Sequence, residues 1–165
     1  NYRFTELQAA IAIPQIDRLH SLNMARVELA NMLSEKIAAF PFLRPPRIRE
    51  NCTHVYYLYP MLYEKDVLGI SRDTFLAALK AEGVHAATYV RPVHLLPLFQ
   101  KLSGTKSDCP VTEKIEDHQI IVTNICRPPS THQEINECVL AIQKVANAAK
   151  DLNKWEAECA LKKSC

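Results

Sequence analysis

At 165 residues, with 48% hydrophobic and 23% charged side chains, the chain has the size and composition of one globular domain able to bury a core. A net charge of +2, spread over scattered basic residues, leaves no electrostatic footprint for nucleic acid. No apolar run approaches the roughly 18 residues needed to cross a bilayer, and no charged start leads into an apolar stretch as in a secretory leader; a cytoplasmic protein is expected.

Asn1 is not an initiator Met, and a helix start follows almost at once, so upstream sequence is expected. Thr5 and Gln8 fit a capping box, in which a hydroxyl and a side-chain amide each satisfy one backbone N–H. Apolar residues then recur at helical spacing, and Val27, Ala30, Leu33 and Ile37 share one face. Residues 5–39 therefore read as one long amphipathic helix that Pro14 kinks or divides. Pro41, Pro45 and Pro46 end it and open an extended connector.

Residues 53–64, THVYYLYPMLYE, have the aromatic and β-branched content of a strand, with Pro60 suited to an edge or a bulge. Ser71 is a fitting N-cap for a helix over 72–82, with Phe75, Leu76 and Leu79 inward and Gly83 as the stop. Residues 84–90 read as a strand, 91–99 as a loop carrying two prolines, 110–117 as a short helix and 119–125 as a strand. Thr131 and Glu134 form a second capping box, opening a helix with Ile135, Val139, Ile142, Val145 and Ala149 on one face. After Leu152 the tail either extends that helix or frays.

This order predicts an α/β (α+β) sandwich: a small, mostly antiparallel sheet of about three strands, covered by helices on one face. The expected division is an interface helix over 1–39, a small α/β domain over 40–152 and a tail over 153–165.

Six cysteines stand at 52, 109, 126, 138, 159 and 165, with no C-x-x-C pair. Metal sites draw ligands in close pairs from tight turns, so no metal site is expected. The cysteines read as reduced, mostly small apolar fillers, with Cys159 and Cys165 exposed in the tail. His20, His85, His118 and His132 lack metal-ligand spacing and read as structural or solvated.

The opening NYRFTELQAAIAIPQIDRL resembles a segment of the DegT/DnrJ/EryC1/StrS aminotransferases, in which G-x-N-x-R-x-[ST] leads into a helix with an A-A pair. Asn1, Arg3, Thr5, Ala9, Ala10 and Gln15 match that pattern. Later pieces agree in order: His54, Tyr56 and Tyr57; Arg72, Asp73, Phe75 and Leu79; Gly83 and Val84; Pro92, His94, Pro97 and Phe99; Thr131, Glu134 and Ile135.

The resemblance implies the small C-terminal domain of a fold-type I aminotransferase that uses pyridoxal 5'-phosphate (PLP). It implies a homodimer, with an amino group moved, commonly from glutamate, onto a nucleotide-linked keto-sugar. In that family the Schiff-base Lys and the Asp at the pyridine nitrogen precede the N-x-R segment. This chain, resembling the part after them, is expected to hold no catalytic residue and to bind no PLP alone. It is also expected to expose an apolar surface where the missing PLP-binding domain and the partner subunit pack.

By the same resemblance Asn1 reaches the cofactor phosphate of the partner subunit. Its place before a helix N-terminus, where the dipole favours an anion, agrees. Arg3 adds a charge for phosphate or carboxylate, or else serves an interface salt bridge. His94, held between two prolines, fits hydrogen bonding to a sugar or diphosphate, and equally a bond to backbone. Tyr89 and Arg91 are substrate-binding candidates, with packing and solvation as the plain alternatives, and His54 reads as structural. Two other readings stay open: a same-family dehydratase whose Schiff-base Lys is replaced by His, and a stand-alone α/β interaction or regulatory domain without catalysis.

Overall fold

In the computed structural model, the structure describes residues 3–103 and 108–163. Asn1 and Cys165 lie outside them. Helix α1 spans Glu6–Ile37, and its N-terminus is closed as the sequence indicates. Thr5 Oγ1 accepts from the Gln8 N–H at 3.2 Å, and Gln8 Oε1 accepts from the Thr5 N–H at 2.9 Å. The helix runs unbroken through Pro14, so the proline does not divide it; the cost of one missing donor is tolerated inside so long a ladder.

Among the described residues the sheet has four strands where about three are expected: β1 (Leu43–Arg44), β2 (Tyr59–Tyr63), β3 (Ala86–Ala87) and β4 (Ile120–Thr123). All pairings are antiparallel, in the order β1-β2-β4-β3. The extra strand, β1, lies in the connector after α1 and is too short to leave an alternating pattern. Strand β2, with 5 residues, is less than half as long as residues 53–64 suggest. His54 Nδ1 accepts from the Tyr56 N–H at 3.0 Å, and Tyr56 turns to φ 47°, which no strand allows. Pro60 then sits inside a central strand without losing a ladder bond to β1, because β1 pairs no further along β2 than Leu62.

Residues 91–99 are not a plain loop. A 3-10 turn at Val93–Leu95 leads into helix α4 (Pro97–Ser103). Proline serves at a first helical position because it has no N–H to leave unpaired there, and Leu96 before it takes the extended conformation that a following proline imposes. Helix α5 (Pro110–Lys114) starts the same way and passes into a π turn at Ile115–Gln119.

One core joins the sheet to the helices on its inner face. Helix α2 (Lys65–Leu68) is a single turn, and α3 (Arg72–Ala81) is capped by Ser71, whose Oγ accepts from the Thr74 N–H at 3.2 Å. It ends at Gly83, whose φ of 84° is open to glycine at little cost. Helix α6 (His132–Asn147) begins at the Thr131–Glu134 capping box. Leu33 and Ile37 of α1, Phe75 and Leu79 of α3, and Ile135, Ile142 and Val145 of α6 meet Tyr59, Met61, Tyr63 and Ile121 of the sheet. The filler reading of the cysteines holds for Cys126 and Cys138, which are buried; Cys52 is exposed, and Cys109 and Cys159 are half-buried.

The tail neither frays nor simply continues α6. After a break at Ala148 it forms helix α7 (Ala149–Lys163). Polar contacts dock α7 on the turn before α3: Asn153 Nδ2 donates to the Gly69 carbonyl, and Glu156 Oε2 accepts from the Ser71 N–H at 3.1 Å. Burial alone would raise the Glu156 carboxyl, but bonds from Ser71 and Thr74 and the nearby Lys65 charge outweigh it and hold the group below the ordinary glutamate range. A depressed carboxylate stabilises the fold above its unfolded pKa, and that contribution is lost as pH falls through the folded value. Docking of α7 is therefore expected to weaken below about pH 4, ahead of the core. Trp155 fluorescence should shift there before global unfolding, and Glu156→Gln should remove the separate step.

Candidate functional site

Strand β2 alternates. Tyr59, Met61 and Tyr63 enter the core, whereas Pro60 and Leu62 turn to the opposite face of the sheet. Across the ladder Pro60 stands opposite Val122 and Leu62 opposite Ile120. Two shallow, mainly apolar clefts lie here. One, of about 280 Å³, is lined by His54, Tyr57, Leu58, Pro60, Tyr89, Ile120 and Val122. The other, of about 180 Å³, is lined by Tyr89, Val90, Pro92, Thr112, Ile115, Glu116 and Ile120. Tyr89 and Ile120 line both, so Tyr89 stands where the clefts meet. It gets there because β3 is an edge strand of two residues, after which the chain is free to run along the sheet.

The candidates of the 89–94 segment divide. Tyr89 and Arg91 are exposed, Tyr89 in the clefts. His94 turns inward, and its Nε2 lies 2.9 Å from Glu113 Oε1 on α5. This pair ties the 3-10 turn to α5 and so joins two walls of the smaller cleft. His54 also lines a cleft while bonded to the Tyr56 N–H and packed at a tilt of 58° against the Tyr56 ring, centroids 4.4 Å apart, which combines its structural reading with a place at the site. Arg3 is exposed in the extended segment before α1, beyond every buried residue of that helix. Of the other histidines, His132 pairs with Glu28 at 2.8 Å. Sequence reasoning missed Glu113 and Tyr57. Glu113 had no signal, because the pairing is long-range; Tyr57 was absorbed into an expected strand that in the structure begins only at Tyr59.

Other ionisable groups near the core are structural. Burial pushes the Tyr59 and Tyr63 phenols up, keeping both neutral; Tyr59 Oη lies 2.7 Å from Ser34 Oγ, and Tyr63 Oη donates to the Ile70 carbonyl at 2.8 Å. Burial likewise pushes the Cys126 thiol up to about 12 and Cys138 to about 11, so neither is a thiolate nucleophile at neutral pH. Among the described residues no cluster of His, Cys, Asp or Glu is placed to hold a metal ion, and no helix is long and apolar enough to cross a membrane.

Another cleft, of about 570 Å³, lies between the end of α3 and the start of α6. Its Glu82 is committed to Lys144 at 2.6 Å and its Glu134 to the α6 cap. The sheet-face clefts are the better candidate, because their aromatic lining offers flat surfaces for a ring or sugar with Arg91 nearby in the chain.

The N-terminal half of α1 is the second feature. All buried residues of this helix lie from Leu29 onward. Before that, Leu7, Ile11, Ile13, Ile16 and Leu19 are all more than half exposed. At about 100° per residue, Leu7 and Ile11 fall on one side and Ile13 and Ile16 on the other. A helix apolar on opposite sides is built to be covered on both.

The family model described as the DegT/DnrJ/EryC1/StrS aminotransferase family matches residues 1–143. An uncharacterized protein of Methanocaldococcus jannaschii is 29% identical over 147 residues, which are 88% of this chain and 38% of that protein. Of solved structures, DesV of S. venezuelae superimposes with a TM-score of 0.74 at 25% identity, covering 87% of this chain and 37% of its own. The PMP form of the putative sugar aminotransferase Spr1654 from Streptococcus pneumoniae shares the fold, with a TM-score of 0.74 at 18% identity over 89% of this chain and 36% of its own. The chain thus spans well under half the length of the proteins it matches.

Proposed function

Because the chain belongs to the DegT/DnrJ/EryC1/StrS aminotransferase family, we propose that it is the C-terminal part of a PLP-dependent sugar aminotransferase. Such an enzyme would move an amino group from glutamate to a nucleotide-linked keto-sugar. The observation that carries this reading is the bare, two-sided apolar half of α1 with the Asn1, Arg3 and Thr5 pattern at its tip. A helix so exposed needs two bodies around it, and the PLP-binding domain and the partner subunit are the two the family implies.

PLP, when bound, supplies the electron sink for the amino transfer. The residues of this chain fit a supporting place toward it. Arg3 is exposed, stands before a helix N-terminus and lies away from the chain's own core, as a group reaching another subunit's phosphate must. Asn1 would join it there. On the sheet face Tyr89 would stack on the nucleotide or sugar, and Arg91 would meet the diphosphate as a charge-assisted donor. His94, held by Glu113, would position that segment. These clefts close off one side of a site and exclude water from it; they carry no nucleophile of their own.

The test uses the chain alone and then joined to the portion encoded upstream. Alone, it should form no borohydride-reducible adduct with PLP; joined, it should support amino transfer from glutamate. A reducible PLP–lysine adduct on the isolated chain would sink the proposal.

A further inference from the structure

Helix α7 begins after residue 143, where the match to the family model ends. Its docking is largely polar. Among its described side chains none is buried, and Leu152 is the apolar one packed against the core. A helix with so few buried apolar contacts opens at low cost.

What holds it is the short turn before α3. Asn153 Nδ2 donates to the Gly69 carbonyl, Tyr63 Oη donates to the Ile70 carbonyl at 2.8 Å, and Glu156 Oε2 accepts from the Ser71 N–H at 3.1 Å. Three consecutive residues are thus pinned, two of them by α7. The next residue is Arg72, the first of α3. Its Nη1 donates to the carbonyls of Glu116 and Ile120, which belong to the π turn and to the strand that follows it. Asp73 is exposed and, at 3.8 Å, too far to bond the guanidinium, so Arg72 follows its own backbone. Phe75 and Leu79 fix the later turns of α3 in the core. The first turn relies on its cap and on α7. On the far side of Arg72, the Ile120 N–H donates to the Ile115 carbonyl and closes the π turn. Ile115, Glu116 and Ile120 line the smaller sheet-face cleft.

We propose that α7 is a positioning strap for that cleft: Glu156 and Asn153 set the turn that carries Arg72, and Arg72 sets the wall formed by the π turn. With α7 docked, one guanidinium reaches both carbonyls. With α7 undocked, the first turn of α3 frays as a helix end does without its partners, and the wall loses its donor. The link runs through adjacent bonded groups, and α7 supplies the element with two states that such coupling requires. Glu156 is a positioning residue and touches no ligand. That the cleft serves a substrate rests on the aminotransferase reading; the coupling does not, so the two fail separately.

Hydrogen exchange of the whole chain, read residue by residue, is the test, with Trp155 emission reporting docking. In the double variant Glu156→Lys, Asn153→Ala, Trp155 emission should shift. The Ile120 amide should then exchange at least about tenfold faster, as loss of a hydrogen bond to a charged group implies. The Ile142 amide, in the buried face of α6, should exchange as before, which separates the effect from unfolding. In an Arg72→Met background the same two substitutions should add nothing at Ile120, because the link is already cut. Unshifted Trp155 emission would overturn the proposal, and so would shifted emission with Ile120 unaffected. Ile120 and Ile142 accelerating together, or an equal effect on Ile120 in the Arg72→Met background, would overturn it as well.

Discussion

Phe75→Ala is expected to destabilise the chain by about 3–5 kcal/mol, the largest single-residue effect in this fold. Phe75 has no exposed surface and sits where α3 meets the sheet. Its ring stacks on Tyr63 with centroids 4.9 Å apart and meets Phe42 edge-on at 5.8 Å. Removing it takes away both aromatic contacts and leaves a void between two buried rings. Neither neighbour is free to fill that void. Phe42 is tied by its backbone to Glu64 at 2.9 Å, and Tyr63 by its hydroxyl to the Ile70 carbonyl. Urea unfolding measures the loss, and Phe75→Leu should recover about half of it. A loss below about 1 kcal/mol for the alanine variant would mean that this aromatic cluster is not the core's centre.

Arg72→Met should cost about 2–4 kcal/mol although it keeps most of the apolar volume. Arg72 is only 9% exposed, and its Nη1 donates to the carbonyls of Glu116 and Ile120, the latter at 3.3 Å. Those carbonyls close the π turn and open β4. Without the guanidinium two acceptors near the core lose their donor, at about 1–3 kcal/mol each, less whatever water restores. Nε lies 3.8 Å from Asp73 Oδ1, too far for a hydrogen bond, so Asp73 contributes little. Because Ile115, Glu116 and Ile120 line the smaller cleft, amide protection at Ile120–Thr123 should fall along with stability. Arg72→Lys should rescue only in part, since a single ammonium does not reproduce the planar fork. Full stability in the methionine variant would show that the turn closes itself.

The helices were legible because their signals are local. Thr5 with Gln8 and Thr131 with Glu134 each satisfy backbone donors within one turn, and both capping boxes form. The inward faces of α1, α3 and α6 follow from 3.6-residue periodicity, which a single chain displays without its partners. The strands were legible as regions and not as lengths. Residues 53–58 carry strand composition, yet the His54 bond to Tyr56 and the positive φ there win over propensity. Residues 91–99 read as a loop because proline breaks helices from inside; Pro97 instead begins one.

The sequence by itself determined the family, the starts of α1, α3 and α6, and the order of those helices with β2, β3 and β4. Each rests on residues at short, fixed spacing, or on motifs that keep their order along the chain. Only the tertiary structure decided that Tyr89 stands where two clefts meet, that Glu113 holds His94, that α7 docks through Asn153 and Glu156, and that the first half of α1 is left uncovered. Those contacts join residues far apart in the chain, or depend on what the chain lacks around it. Sequence spacing encodes what a segment prefers; which surfaces meet, and which stay bare, is settled when the segments pack.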